Sequence, residues 1–491
     1  MENNKGSGNG ATRRAFLSAG AITAAAAPFA GRGSALAAAN PALAGANPVP
    51  AGANARWPRP APAAPLRNLL RQVDPDRIRA TVLRLTQFGT RHTASSQTDP
   101  ARGIGAATAW VYGQLQAIAA TSAGRMTVRQ QTFVQPVSNR IPVPTTITNV
   151  IATLAGTASP ERYYVVTGHL DSRVTDVLDF TSDAPGADDD ASGVAVVLEL
   201  ARLFATQRFP GTLVFATVAG EEQGLYGSAY MAAQLKAADA DVQGMFSNDI
   251  VGASQAWDGT RPDPHTVRLF VEGVPTAATA ADIALLQSVG GENDSASRQL
   301  ARFAQDAAPA ELTGMNIRVI WRRDRYLRGS DHLSFQAQGY PAGRFTEPRE
   351  NFNHEHQDTR VVGGVQFGDL PEFVDFDYIA RVARVNGATL WALATGPGTP
   401  GNAAIHVTAP PGLAGTNATT LTWDASPDPA VAGYEVVWRE TTAPDWTGVI
   451  DAGGGTSVTL DMSKDNVQFG VRAVDQAGYR SPVAFPRAVS T

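Results

Sequence analysis

Five short stretches carry the residue types from which a catalytic centre can be assembled. Gly168-His169-Leu170-Asp171, Gly220-Glu221-Glu222 and Asn248-Asp249 each follow an apolar, strand-like run. A fourth, Pro185-Gly186-Ala187-Asp188-Asp189-Asp190-Ala191-Ser192-Gly193, stands just before a helical pattern that starts near Ser192. N-capping accounts for one aspartate there; three in a row exceed it. The fifth is Asn353-His354-Glu355-His356-Gln357-Asp358. The 491 residues include no cysteine and seven histidines, so a metal site must use His, Asp and Glu. Imidazole nitrogen with carboxylate oxygen suits zinc, and two zinc ions about 3.5–4 Å apart can share a bridging carboxylate. The inventory allows one His and one acid per metal plus one shared Asp. In the Glu221-Glu222 pair, one carboxylate can bind metal while its neighbour takes a proton from the attacking water.

These groups need a scaffold that brings them together. Strand-like runs at Ile147–Leu154, Tyr163–Thr167, Thr212–Val218, Gln243–Ser247, Val267–Val271, Ile317–Trp321 and Gly343–Thr346 have helical patterns among and after them. The helical patterns are Ala107–Ala119, Ser192–Ala205, Gly227–Ala237, Ala296–Ala307 and Phe376–Ala394. This predicts an α/β domain over 66–398, a mixed β-sheet covered by helices in three layers. Open α/β sheets place their sites beyond the carboxyl ends of strands, so the acidic and His groups converge if their strands are neighbours. A Gly/Pro break at 395–401 precedes short β-type runs and turns over 403–491, which predict a small all-β sandwich. Leu421-Thr422-Trp423-Asp424, Gly433-Tyr434-Glu435-Val436 and Phe469-Gly470-Val471-Arg472-Ala473-Val474-Asp475 resemble a fibronectin type III module, with Trp423 and Tyr434 in its core.

The α/β region resembles the secreted di-zinc aminopeptidases, relatives of glutamate carboxypeptidase and the transferrin receptor ectodomain. The resemblance runs from about Val82 to Leu393. It rests on Phe88-Gly89-Thr90-Arg91, Asn149-Val150-Ile151, Gly168-His169-Leu170-Asp171-Ser172, Gly186 to Gly193, Glu221 to Ser228, Asn248-Asp249 and Ser330-Asp331-His332, in the family's order. It implies two Zn2+ ions, one held by His169, Asp189 and Asp249, the other by Asp189, Glu222 and His354. Glu221 becomes the general base. Asp171 acts behind the metal by accepting the imidazole N–H. The family's usual Asn-Asp-Asn makes the middle aspartate, Asp189, the shared ligand. The family places its last His four residues before Asp, which selects His354, four before Asp358, over His356. Many members have Tyr before that His, to help the oxyanion; here Asn353 stands there and receives no role. His92 and His265 read as surface or structural, and His332 as near the site without being a ligand.

The function this implies is a metallo-exopeptidase that removes N-terminal residues from peptides. A carboxypeptidase of the same fold is the alternative; its basic pocket would draw on Arg323, Arg325, Arg328 and Arg344. A glutaminyl cyclase with a single zinc, an inactive ectodomain and a serine hydrolase at Gly329-Ser330-Asp331-His332 are the more distant readings. A formal net charge of −5 gives no basic surface for nucleic acid. Arg13-Arg14 before the apolar run Ala15 to Ala30, with Ala35-Leu36-Ala37 following, matches a twin-arginine export signal over 1–37. Export to the periplasm or the exterior is therefore expected, with 38–65 a flexible leader and no membrane span in the mature chain.

Overall fold

The computed structural model describes residues 63–256, 258–408 and 418–489. The export signal and nearly all of the leader lie outside these residues. An eight-stranded mixed sheet forms the centre, built from β1 (Met126–Gln135), β2 (Thr145–Leu154), β3 (Ser159–His169), β4 (Gly211–Val218), β5 (Asp241–Asn248), β6 (Thr266–Val271), β7 (Asn316–Ile320) and β8 (Ala342–Thr346). Their spatial order is β1-β2-β4-β3-β5-β8-β6-β7. The four central strands β4, β3, β5 and β8 run parallel, while β1–β2, β2–β4 and β8–β6 pair antiparallel.

Period-two alternation divides each central strand between two cores. Tyr164, Val166, Leu213 and Phe215 pack with the helices Pro75–Thr86, Ala191–Phe204 and Phe376–Thr395. Val165, Val214, Ala216 and Val218 face the other way, onto Met231 of the helix Tyr226–Ala237 and Phe335 of the helix His332–Ala337. The result is three layers, as the sequence pattern predicts. The edge strand β1 was not predicted: half its side chains face solvent, so its sequence lacks an apolar run. The helix Ala280–Val289 also escaped, because it buries no residue and is set by the Thr279–Asp282 capping box.

The C-terminal residues form two small sheets. One orders Ser457–Leu460, Thr419–Thr422, Ala404–His406 and Arg487–Val489; the other orders Gly448–Gly453, Val431–Glu440 and Val467–Asp475. Leu421, Val458 and Leu460 from the first share a core with Tyr434, Val436, Ile450, Phe469 and Val471 from the second. Trp423 and Tyr434 are buried in that core, their ring centroids 5.4 Å apart. No helix among the described residues is long and apolar enough to cross a membrane.

Candidate metal centre

Three adjacent parallel strands deliver the first groups. His169 ends β3 and lies in register with Val218 at the end of β4, while Thr167 pairs with Ser247, two residues before Asp249. The chain therefore leaves all three strands on the same side of the sheet, where His169, Glu221-Glu222 and Asp249 meet.

Each aspartate of the triplet has its own task. Asp190 caps the helix Ala191–Phe204 by accepting from Gly193 N at 3.0 Å, and also accepts from His169 N at 2.7 Å. Asp188 accepts from Gly252 N at 2.6 Å. The backbone N–H groups of Asp188 and Asp189 both donate to the Asp369 carboxylate at 2.8 Å. The Asp189 carboxylate is left for the cluster, with Oδ1 3.0 Å from His169 Nε2 and Oδ2 2.8 Å from His356 Nε2. Asp189 thus bridges two imidazoles.

Donor atoms from His169, Asp189 and Asp249 lie within 4.8 Å of one another, as do those from Asp189, Glu222 and His356. Glu222 Oε1 is 3.0 Å from His356 Nε2. His169 Nδ1 is 3.0 Å from the Asp171 carbonyl oxygen, which can only accept, so Nδ1 carries a proton and Nε2 is the nitrogen that faces the cluster. Asp189 Oδ1 and Glu222 Oε1 are buried, each 3.0 Å from an imidazole Nε2 but with no hydrogen bond of good geometry. Burial alone would lower the pKa of His169 and His356, yet the surrounding carboxylates raise both well above the usual value. The pocket therefore draws in positive charge, and its nitrogen and oxygen donors fit zinc.

Two expectations need correction. His354 is not in the cluster: its ring stacks on Phe373, centroids 3.6 Å apart and planes 7° off parallel. His356 takes the place, because its left-handed backbone (φ 53°) turns the chain so that the imidazole faces Asp189 and Glu222. The Asp171 carboxylate does not orient His169, whose Nδ1 is 3.8 Å from Oδ1. It accepts instead from the N–H groups of Gly220 (2.9 Å), Glu221 (3.3 Å) and Glu222 (3.0 Å). Asp171 thus fixes the turn that presents the glutamate pair.

The family model for peptidase family M28 matches residues 149–361. A probable zinc metalloprotease of Leptosphaeria maculans is 50% identical over 428 residues, covering 87% of this chain and 98% of its own. The chain belongs to peptidase family M28. It is a zinc metallopeptidase. A second probable zinc metalloprotease, from Pyrenophora teres f. teres, is 49% identical, with 86% of each chain covered. A solved aminopeptidase from Aneurinibacillus sp. strain AM-1 is 18% identical, with a TM-score of 0.46 over 67% of this chain and 96% of that one.

The M28 centre rests on two buried arginines. Arg344 Nη2 donates to Asp249 Oδ1 at 2.8 Å and to its carbonyl at 3.0 Å, while Nη1 reaches Asp324 Oδ1 at 3.2 Å. Arg91 donates to the carbonyls of Leu170 (2.7 Å), Pro185 (2.5 Å) and Gly186 (2.9 Å), tying together the loops that carry Asp171 and the aspartate triplet. Burial lowers its pKa to about 10. Neither role was legible in the sequence, because both depend on loops far apart in the chain; the Arg91 motif alone marked the position. Arg173 adds a third contact, its Nε 2.9 Å from Glu222 Oε2 and its Nη2 2.6 Å from His356 Nδ1.

A cavity of about 660 Å³ opens over the cluster, lined by Asp189, Glu221, Glu222, Asp249 and His356 and walled by residues 322–329. Burial, with the charges of Asp249, Glu222 and Asp331 and against the pull of His169, holds the Glu221 carboxyl well above the usual carboxylate range. Of the arginines suggested for a basic pocket, Arg344 is occupied with Asp249 and Asp324, and Arg325 and Arg328 are paired with Glu350 and Glu355. Arg323 lines the cavity. His332 is buried with Nε2 2.8 Å from the Arg323 carbonyl and stands outside both donor groups.

Proposed function

We propose that this chain is an exported aminopeptidase that holds two zinc ions and hydrolyses the N-terminal peptide bond of its substrates. His169, Asp189 and Asp249 would hold one ion, and Asp189, Glu222 and His356 the other. The observation that carries the reading is the Asp189 bridge between two imidazoles, with Glu221 in the same cavity. Two complete donor groups favour this over a single-zinc cyclase.

When bound, zinc supplies a Lewis acid for the scissile carbonyl and eases the ionisation of water. Glu221 accepts a proton from the attacking water as the new C–O bond forms. As the C–N bond breaks, Glu221 passes that proton to the leaving amine. Asp171 holds Glu221 in place through the backbone. Arg344 fixes Asp249, and Arg173 fixes the second oxygen of Glu222.

The decisive experiment compares a Leu-initiated peptide with its N-acetylated twin, with and without a chelator, by mass spectrometry. Loss of Leu from the free peptide alone, abolished by chelation, is expected. Release from the C-termini of both peptides would replace the aminopeptidase reading by the carboxypeptidase one. The same proposal includes the twin-arginine signal over 1–37, tested by export of an Arg13→Lys, Arg14→Lys variant, and a fibronectin type III-like identity for 403–491.

A further inference from the structure

The sequence gives the C-terminal module no chemistry, yet its contacts lead toward the cleft. Arg439, on the module strand Val431–Glu440, donates to the fully buried Asp294 at 2.6 Å. Arg302, on the helix Ala296–Ala307, reaches the other Asp294 oxygen at 3.1 Å and donates to the module carbonyl of Pro444 at 2.9 Å. Trp446 of the module donates to Gln299 at 2.9 Å, and its ring stands beside the guanidinium groups of Arg302 (5.9 Å) and Arg439 (5.4 Å). Arg302 also lies 5.1 Å from the ring of Trp321, and Arg298 lies 5.4 Å from it while donating to the Trp321 carbonyl at 2.9 Å.

Trp321 is the residue before the cavity wall. Residues 322–329 all line the cavity, and they form neither helix nor strand. Tyr326 and Leu327 are 80% and 91% exposed, so this wall offers a large apolar surface to whatever enters. A segment without a backbone ladder takes its position from its anchors. Asp324 is tied to Arg344, the Arg323 carbonyl to His332, and Arg325 and Arg328 to Glu350 and Glu355; Trp321 is the anchor where the segment leaves the sheet.

We propose that the module is a working part of the substrate cleft: through Arg439, Asp294 and Arg302 it fixes Trp321, which sets the wall 322–329 against the substrate. Trp321 and Arg302 are positioning residues. Without the module, Arg302 loses the Trp446 face and the Pro444 carbonyl and keeps its contacts to Asp294 and to the Asn293 carbonyl, while Asp294 itself loses Arg439.

The test uses the full-length, zinc-loaded protein and two readouts. Hydrogen exchange over 321–329, followed by mass spectrometry, does not depend on the aminopeptidase reading; the KM for a peptide does. Arg439→Gln and Trp321→Leu should each speed exchange in the segment by roughly threefold to thirtyfold, the range of cation–π strengths. Exchange in β3 should stay unchanged. For the peptide, KM should rise while kcat and bound zinc hold, and Trp321→Phe, which keeps an aromatic face, should restore both readouts. Unchanged exchange over 321–329 in Arg439→Gln would overturn the proposal, as would Trp321→Phe behaving like Trp321→Leu. If Arg439→Gln does not fold, Trp446→Phe removes the indole N–H to Gln299 from the module side and is judged by the same criteria. A wild type that cleaves no peptide would count against the proposed function alone, because the exchange comparison would still decide the coupling.

Discussion

If the proposed two-zinc centre holds, replacing His356 by alanine should strip one ion from the protein, whereas the same change at His354 should leave both. His356 Nε2 stands 2.8 Å from Asp189 Oδ2 and 3.0 Å from Glu222 Oε1, so it supplies one of the three donors of its group. Loss of a residue that merely supports a metal ligand costs about 10- to 100-fold in affinity or activity; loss of the ligand itself should cost at least about 100-fold, or about 2.7 kcal/mol. His354 gives up a different contact. Its stacking on Phe373 is worth about 0.5–1.5 kcal/mol beyond area burial. The assay is zinc per chain by elemental mass spectrometry after equilibration in a zinc buffer, paired with peptide turnover and thermal unfolding. His356→Ala should lose one equivalent and nearly all turnover. His354→Ala should keep the metal and turnover with a modest fall in Tm. The reverse pattern, zinc lost with His354 and kept without His356, would refute the assignment.

Glu221→Gln should lower kcat by about 10²- to 10⁴-fold with zinc content unchanged, because the residue belongs to neither donor group. Arg344→Met leaves the buried Asp249 and Asp324 without their shared cation and should destabilise the fold by roughly 3–5 kcal/mol, read by urea unfolding, with weaker zinc retention. Asp171→Asn turns an amide toward backbone N–H groups of the Gly220–Glu222 turn; a clash of about 1–3 kcal/mol should appear in stability, with loss of turnover exceeding loss of zinc. Removing zinc with a chelator should lower Tm, since a ligand at about 100 times its Kd stabilises by about 2.7 kcal/mol and the bare cluster leaves carboxylates facing one another.

The chemistry was legible in the sequence because it sits where strands end. His169, Glu222 and Asp249 follow apolar runs whose type and order mark a parallel sheet, and that sheet brings its carboxyl ends together. The aspartate triplet was readable because it exceeds what capping needs; the choice of Asp189 within it came from the family resemblance. The layers were readable where burial imposes a period, and were missed at β1 and at Ala280–Val289, where solvent relaxes it. Other features depended on backbone direction or on partners distant in the chain. The choice between His354 and His356 turns on one left-handed residue that spacing does not encode. The role of Asp171 depends on where its loop meets the Gly220–Glu222 turn. Arg91, Arg344 and Arg439 act on groups 94, 95 and 145 residues away, so their sequence neighbours say nothing of their work. Residue types and local period thus determined the chemistry and the sheet that gathers it, because both are written within a few residues. Which donor turns inward and what holds it there was decided only when distant loops packed together.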